Sequence, residues 1–147
     1  MNYKIILQVF LAAIAVYNVY LAALGLFFRD NAAVYAVDFF NFNLDVTAST
    51  YWLIGLLSTY LLAFAAFLLV AATDPMKYIK NVYVILGVFA VRILQRVYFL
   101  IQAHDDPSLV ANTTAADMHL ISIVATAVVL LILTLKVQFM ERKDKNL

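Results

Sequence analysis

The sequence predicts an all-α fold: an integral membrane four-helix bundle with antiparallel up-down-up-down topology. Of its 147 residues, 66% are hydrophobic and only 13% are charged, whereas about a quarter of the residues in a soluble domain are charged. Four segments are also long and apolar enough to span a bilayer, which takes roughly 20 mainly apolar residues. Because so short a chain has little interior, we expect much of this apolar surface to face lipid.

The chain is interpreted as one transmembrane domain, 1–147, with spans at about 5–28, 51–72, 79–102 and 118–137. We expect helices, because an open sheet leaves backbone groups without hydrogen bonds in lipid. The first span is longer than the apolar core of a signal peptide, roughly 7–15 residues, so we expect it to be retained.

The connections differ in character. The first, 29–50, is too polar to span the membrane but contains three phenylalanines that alternate with polar residues. This pattern favours a short interfacial helix or a re-entrant turn within a longer outer loop. The second connection is a tight hairpin at 73–77 that contains Pro75, and the third, 104–117, is acidic.

The distribution of positive charge predicts that both termini are cytoplasmic, because the short connections on the cytoplasmic side of a membrane are enriched in lysine and arginine. Arg29 alone lies on the opposite side, outside the spans, and six aspartates of the first and third connections share that side. The seven cytoplasmic cations are Lys4, Lys77, Lys80, Lys136, Arg142, Lys143 and Lys145.

Small residues three and four positions apart form a stripe on each of the first two spans. Because small side chains let membrane helices approach closely, we expect both stripes to face neighbouring helices. The Gly55–Thr59 spacing is too common to imply a dimer. The stripes are Ala15, Asn18, Ala22 and Gly25 on the first span, and Gly55, Thr59, Ala63 and Ala66 on the second.

Two arginines lie within the third span, Arg92 and Arg96. Each costs roughly 2.5–3.5 kcal/mol at the centre of a span, and arginine does not lose its proton to avoid that cost. Arg92 lies about 20 Å along the helix from Ile79, too deep to reach the surface easily. We therefore predict a polar pocket in the outer half of the bundle, formed by Asn18, Arg92, Gln95, Arg96, His119, Ser122 and Thr126.

Three roles for the arginines stay open at this point. They can pair with the outer aspartates Asp38, Asp45 and Asp117 and hold the loops on the bundle. They can instead bind a carboxylate, a phosphate or a lipid headgroup, since two arginines on adjacent turns match an anion. A transport or proton path is the third reading.

The leading functional prediction is a non-enzymatic accessory or binding protein whose outward-facing basic site takes an anionic small molecule or a lipid headgroup. The alternatives are an oligomeric channel or minimal transporter, and a structural subunit of a larger membrane complex. Membrane lipid, other membrane subunits or a second copy are the expected partners, and a net charge of +1 gives no reason to expect nucleic acid.

We expect no enzyme activity, cofactor or metal. The spans hold no acid away from their ends, there is no cysteine, and the two histidines lack a spaced ligand motif. The short chain without a targeting extension favours a bacterial inner membrane.

Overall fold

Five α-helices make up most of the structure. The computed structural model describes residues 2–40, 47–106 and 113–145, with side chains omitted at 37–40, 113–116 and 144–145. No strand occurs in these ranges, and the predicted all-α four-helix bundle is confirmed. The helices are α1 (Tyr3–Phe27), α2 (Arg29–Phe40), α3 (Ala48–Thr73), α4 (Ile79–Asp105) and α5 (Thr113–Lys145).

Four of the helices are long and apolar enough to cross a membrane: α1, α3, α4 and Asp117–Lys143 of α5. Large apolar side chains also cover the outside of the bundle; Val9, Val91 and Leu94 are 64%, 65% and 69% exposed. A surface of this kind suits lipid, and the chain is a multi-pass membrane protein. Helix α5 extends beyond the predicted span, 118–137, at both ends, and at its C-terminal end the charged last turns remain helical outside the apolar stretch.

The long helices pack in an antiparallel ring. At one end of the α1–α3 pair, the Gln8 side chain donates a hydrogen bond to the Thr73 carbonyl at 2.8 Å. In the α4–α5 pair, the Tyr83 hydroxyl donates to Gln138 Oε1 at 2.9 Å. Each bond joins the start of one helix to the end of its neighbour. Helix α1 also packs on α5, and α3 on α4, so α1 and α4 lie diagonally across the ring.

The apolar core occupies one half of the bundle. Leu7 and Leu11 of α1, Leu68 of α3, Ile85 of α4 and Leu130 of α5 are fully buried there, and they belong to one cluster. The other half, here called the α2 half, holds the beginning of α3 and α5, the end of α1 and α4, and α2 itself. Three buried polar side chains lie toward the α2 half: Asn18, Ser58 and Arg96.

Helix α2 follows α1 after a single non-helical residue, Phe28. The amide of Phe28 donates to the Leu24 carbonyl at 2.8 Å, and its carbonyl accepts from the Ala32 amide at 2.9 Å. The Tyr51 hydroxyl of α3 donates to Asp30 at 2.5 Å, which fixes the start of α2 against α3. A helix in the first connection was predicted and is present, while its interfacial placement stays a prediction.

Helix α3 begins at a capping box. The Thr47 hydroxyl accepts from the Thr50 amide at 3.4 Å, and the Thr50 hydroxyl accepts from the Thr47 amide at 3.2 Å. These bonds satisfy amides that have no partner within the helix, so α3 begins before the predicted boundary at residue 51.

The predicted packing stripe of α1 is confirmed and that of α3 is wrong. On α3, Thr59, Ala63 and Ala66 are exposed and Gly55 is only partly buried. Small residues occur on more than one side of this helix, which is apolar all round, so their spacing does not single out the buried side. The α1 stripe of Ala15, Asn18, Ala22 and Gly25 is buried, and α3 buries Ser58, Leu61, Ala65, Leu68 and Ala71 instead.

Candidate functional site

The two arginines of α4 lie one turn apart and both contact aromatic rings. Arg92 Cζ lies 5.5 Å from the centre of the Phe64 ring on α3. Arg96 Cζ lies 5.2 Å from the centre of the Phe99 ring, one turn further along α4. A guanidinium over a ring face is attracted by the negative charge of that face. These contacts hold both cations against the bundle.

Phe64 is itself held in place at the α3–α4 contact. Its ring meets the Phe89 ring edge-to-face, with centres 6.4 Å apart and planes at 66°. Phe89 is 5% exposed and belongs to the apolar core. The edge-to-face arrangement is favoured by the charge distribution of the rings. Arg92 therefore lies directly above the core, at the floor of the α2 half.

Helices α1 and α2 supply a pair of tyrosines to the same region. The hydroxyl oxygens of Tyr17 and Tyr35 lie 3.1 Å apart, so a hydrogen bond joins the middle of α1 to α2. Tyr17 is also within electrostatic range of Arg92. A phenol both donates and accepts, so Tyr17 adds a hydrogen-bonding group beside the cation.

Helix α5 brings His119 to the arginines. His119 is partly buried and lies within electrostatic range of both Arg92 and Arg96. Asp117, two residues earlier and exposed, is within range of Arg96. Asp117 is therefore placed to offset part of the charge of Arg96.

Asn18 is buried with one polar atom unsatisfied. Only 2% of the residue is exposed; its Nδ2 donates to the Ile14 carbonyl at 2.8 Å. Its Oδ1 has no hydrogen-bond partner among the described residues. A buried acceptor without a partner costs about 1–3 kcal/mol, so Asn18 has an unused acceptor in the membrane interior.

The remaining predicted site residues are less closely involved. Gln95 and Ser122 are exposed, unlike Asn18 and Arg96, which are buried. The Thr126 hydroxyl donates to the Ser122 carbonyl of its own helix at 2.8 Å. Of the predicted loop partners, Asp38 lies on α2, where the structure describes its backbone alone. Asp45 lies outside the described residues.

Sequence reasoning missed the aromatic members of the region: Tyr17, Tyr35 and Phe64. A signal existed for Tyr17, because it neighbours Asn18 and counting along the spans puts it near the depth of Arg92. No comparable signal existed for Tyr35, whose position depends on how α2 folds back onto α1.

Arg92 has no salt bridge to any carboxylate that the structure describes; the single ion pair of that part of the chain joins Lys4 to Asp74. Its surroundings are instead an aromatic ring, a phenol and an imidazole. Arginine presents planar donors that match carboxylate or phosphate oxygens. The arrangement is therefore chemically suited to holding an oxyanion.

Comparison with protein-family models, curated proteins and solved structures gives no match for this chain.

Proposed function

We propose that this chain is a non-enzymatic protein of the bacterial inner membrane that binds an oxyanion at Arg92 and Arg96 in the α2 half of its bundle. The observation that carries the proposal is the environment of Arg92. This permanent cation lies deep in a span, against Phe64 and near Tyr17 and His119, with no ion pair to a described carboxylate. Charged groups at such depth are expensive and mark functional sites by default.

The packing of the bundle supports a ligand-binding protein over a channel or transporter. The floor of the site rests on Phe89, and beyond it the buried side chains of Leu11, Leu68, Ile85 and Leu130 fill the other half of the bundle. A path for ions through one copy would have to cross this packed apolar layer, where dehydrated charge is strongly disfavoured. A site that lies above this layer, in the α2 half, suits a binding protein.

The concentration of lysine and arginine on one side of the predicted spans supports an orientation in which both ends of this sequence face the cytoplasm.

The expected ligand carries a phosphate or a carboxylate, and it is either a soluble molecule or a lipid headgroup. Purified protein in detergent is titrated with inorganic phosphate in one arm and with phosphatidic acid in the other, and the melting temperature is followed. A rise with inorganic phosphate indicates a soluble ligand, and a rise with phosphatidic acid alone indicates a headgroup.

Arg92→Ala should abolish whichever rise occurs, because the charge-assisted hydrogen bonds to the oxyanion are lost. Arg142→Ala is the matched control, since it removes one exposed positive charge from the far end of α5 and should keep the rise. An undiminished rise in Arg92→Ala would contradict the proposal. A lower melting temperature in Arg92→Ala, with no ligand effect on the wild type, would indicate that the arginine stabilises the outer loops and binds no ligand.

Native mass spectrometry of protein released gently from its membrane addresses the alternatives. A retained anionic molecule that is lost in Arg92→Ala supports the binding function. Co-purified membrane subunits without such a molecule would favour a structural subunit, and a ring of several copies would favour a channel.

A further inference from the structure

A second site lies on the outside of the bundle, where the end of α1, the start of α2 and the first half of α3 meet. They form an open groove of about 370 Å³. Gly55 in its wall lies nine residues before Phe64, which is about half a turn around the helix at 100° per residue. The groove is therefore on the opposite side of α3 from Arg92. Its lining includes Leu26, Arg29, Tyr51, Trp52, Gly55 and Thr59.

At Gly55 the wall of the groove faces open space. A Cβ atom built there has no neighbour within 4 Å, whereas at Gly25 it would collide with the Ser58 hydroxyl. Gly55 is therefore not required for close packing within the described bundle. The Thr59 hydroxyl donates to the Gly55 carbonyl at 3.1 Å, so it is satisfied within its own helix. The wall suits an apolar occupant.

The mouth of the groove is cationic. Arg29 is exposed, and it forms no ion pair with the carboxylates that the structure describes. The neighbouring Asp30 instead accepts the hydrogen bond of Tyr51 at 2.5 Å. Trp52, also at the mouth, is 66% exposed. Tryptophan and tyrosine are enriched at the level of lipid headgroups, and an arginine at that level matches a phosphate.

The length of the groove fits one leaflet. Its lining on α3 runs from Ala48 to Thr59, eleven residues apart, which is about 16 Å along a helix. The hydrocarbon core of a bilayer is about 30 Å thick, so one leaflet contributes about half of that. An acyl chain whose headgroup lies at Arg29 therefore spans the groove from mouth to end.

We propose that this groove binds one anionic phospholipid of the leaflet that faces α2. Its phosphate contacts the Arg29 guanidinium, and one acyl chain lies along Gly55 and Thr59. This lipid site is separate from the oxyanion site at Arg92, because it lies on the opposite side of α3.

The test is native mass spectrometry of the protein titrated with phosphatidylglycerol, and with phosphatidylcholine as the uncharged comparison. The wild type should retain one phosphatidylglycerol in preference to phosphatidylcholine. Arg29→Gln should weaken that first binding step about tenfold, because it removes a charged hydrogen bond to the phosphate. Gly55→Leu should weaken it by a similar factor, because the leucine fills the groove.

Gly87→Leu is the matched control. Gly87 is also a helix-interior glycine with no atom within 4 Å of a built Cβ, but it lies on α4, away from the groove. It should bind phosphatidylglycerol as the wild type does. Because a headgroup at the arginine site would be retained by both Arg29→Gln and Gly55→Leu, only the binding step that these two substitutions weaken is assigned to the groove.

Equal retention of phosphatidylglycerol by the wild type, Arg29→Gln and Gly55→Leu would overturn the proposal. A dimer that Gly55→Leu separates would also overturn it, because the groove would then hold a second copy of the chain. If Gly55→Leu does not fold, Arg29→Gln alone decides, since an exposed side chain contributes little to the packing of the bundle.

Discussion

The hydroxyl oxygens of Tyr17 and Tyr35 lie 3.1 Å apart and connect the middle of α1 to α2. This bond brings a short helix from the first connection to the edge of the arginine site, because Tyr17 is within electrostatic range of Arg92. This pair of phenols therefore links the position of α2 to the environment of Arg92.

Tyr17→Phe and Tyr35→Phe should each destabilise the bundle by about 1 kcal/mol, the usual net value of one hydrogen bond. The double substitution should cost clearly less than the sum of the two, because both remove the same bond. The free energy of unfolding in mixed micelles measures this, with Tyr60→Phe on the exposed side of α3 as control. Strictly additive losses would show that the bond contributes nothing.

Gly25→Ala should weaken the contact between α1 and α3. The added Cβ would meet the Ser58 hydroxyl oxygen and lie 3.1 Å from Ile54 Cγ2, and overpacking of this kind costs about 1–3 kcal/mol. Gly87→Ala, with open space around it, should be as stable as the wild type or slightly more so. Thermal denaturation in detergent compares the two.

A second substitution checks the cause of that loss. Ser58→Ala removes the colliding hydroxyl, so the double variant Gly25→Ala, Ser58→Ala should recover part of the stability lost in Gly25→Ala. No recovery at all would mean that the close approach of these two residues is not what makes glycine necessary.

The Lys4–Asp74 ion pair should make stability depend on acid pH. The Lys4 ammonium, 3.0 Å away, lowers the pKa of the Asp74 carboxyl, and the backbone amides of Lys77 and Met76 act in the same direction. Because the folded pKa is below the unfolded one, the stabilisation is complete above the unfolded pKa and is lost as pH falls through the folded pKa.

The melting temperature of the wild type should therefore fall between about pH 5 and pH 3 more steeply than that of Asp74→Asn. High salt should reduce the difference, because both side chains are exposed to solvent. Asp105→Asn, at the opposite end of the bundle, serves as control and should follow the wild type. Parallel curves for the wild type and Asp74→Asn would contradict the prediction.

Phe64→Leu should impair the arginine site without removing a charge. Loss of the ring removes its attraction to the Arg92 guanidinium, which is worth about 1–2 kcal/mol at a partly desolvated position. It also removes the edge-to-face contact with Phe89. We expect weaker binding of the oxyanion probe that stabilises the wild type, by about tenfold, because Arg92 is no longer positioned. Phe67→Leu, an exposed position on the same helix, should keep wild-type binding, and equal binding by both variants would exclude a positioning role for Phe64.

Much of the fold followed from composition and spacing, because lipid restricts the choice to helices of about one bilayer thickness. The buried side of α1 was also predictable: its polar and small residues, Asn18 and Gly25 among them, fall on one side. On α3, small residues occur on more than one side, so their spacing does not identify the buried side. Gly55 and Thr59 were therefore predicted to face a neighbouring helix, whereas they line an exposed groove.

The site was predicted in part for a related reason. Counting residues along the spans brings Arg92, Arg96 and His119 to similar depths, and the structure places His119 within electrostatic range of both arginines. Counting does not tell which side of a helix meets which neighbour. Gln95 and Ser122 were therefore included although they are exposed, while Phe64 and Tyr35 were overlooked.

The joint at Phe28 has a mechanical consequence. One non-helical residue, hydrogen-bonded to the turns on both sides, leaves α2 little freedom to move independently of α1. Helix α2 carries Arg29 at its first position and Tyr35 less than two turns later, so it connects the groove beside Gly55 to the surroundings of Arg92. A ligand that displaces α1 and α2 together when it binds at one place would change the affinity of the other place, and thermodynamic linkage makes that effect equal in both directions.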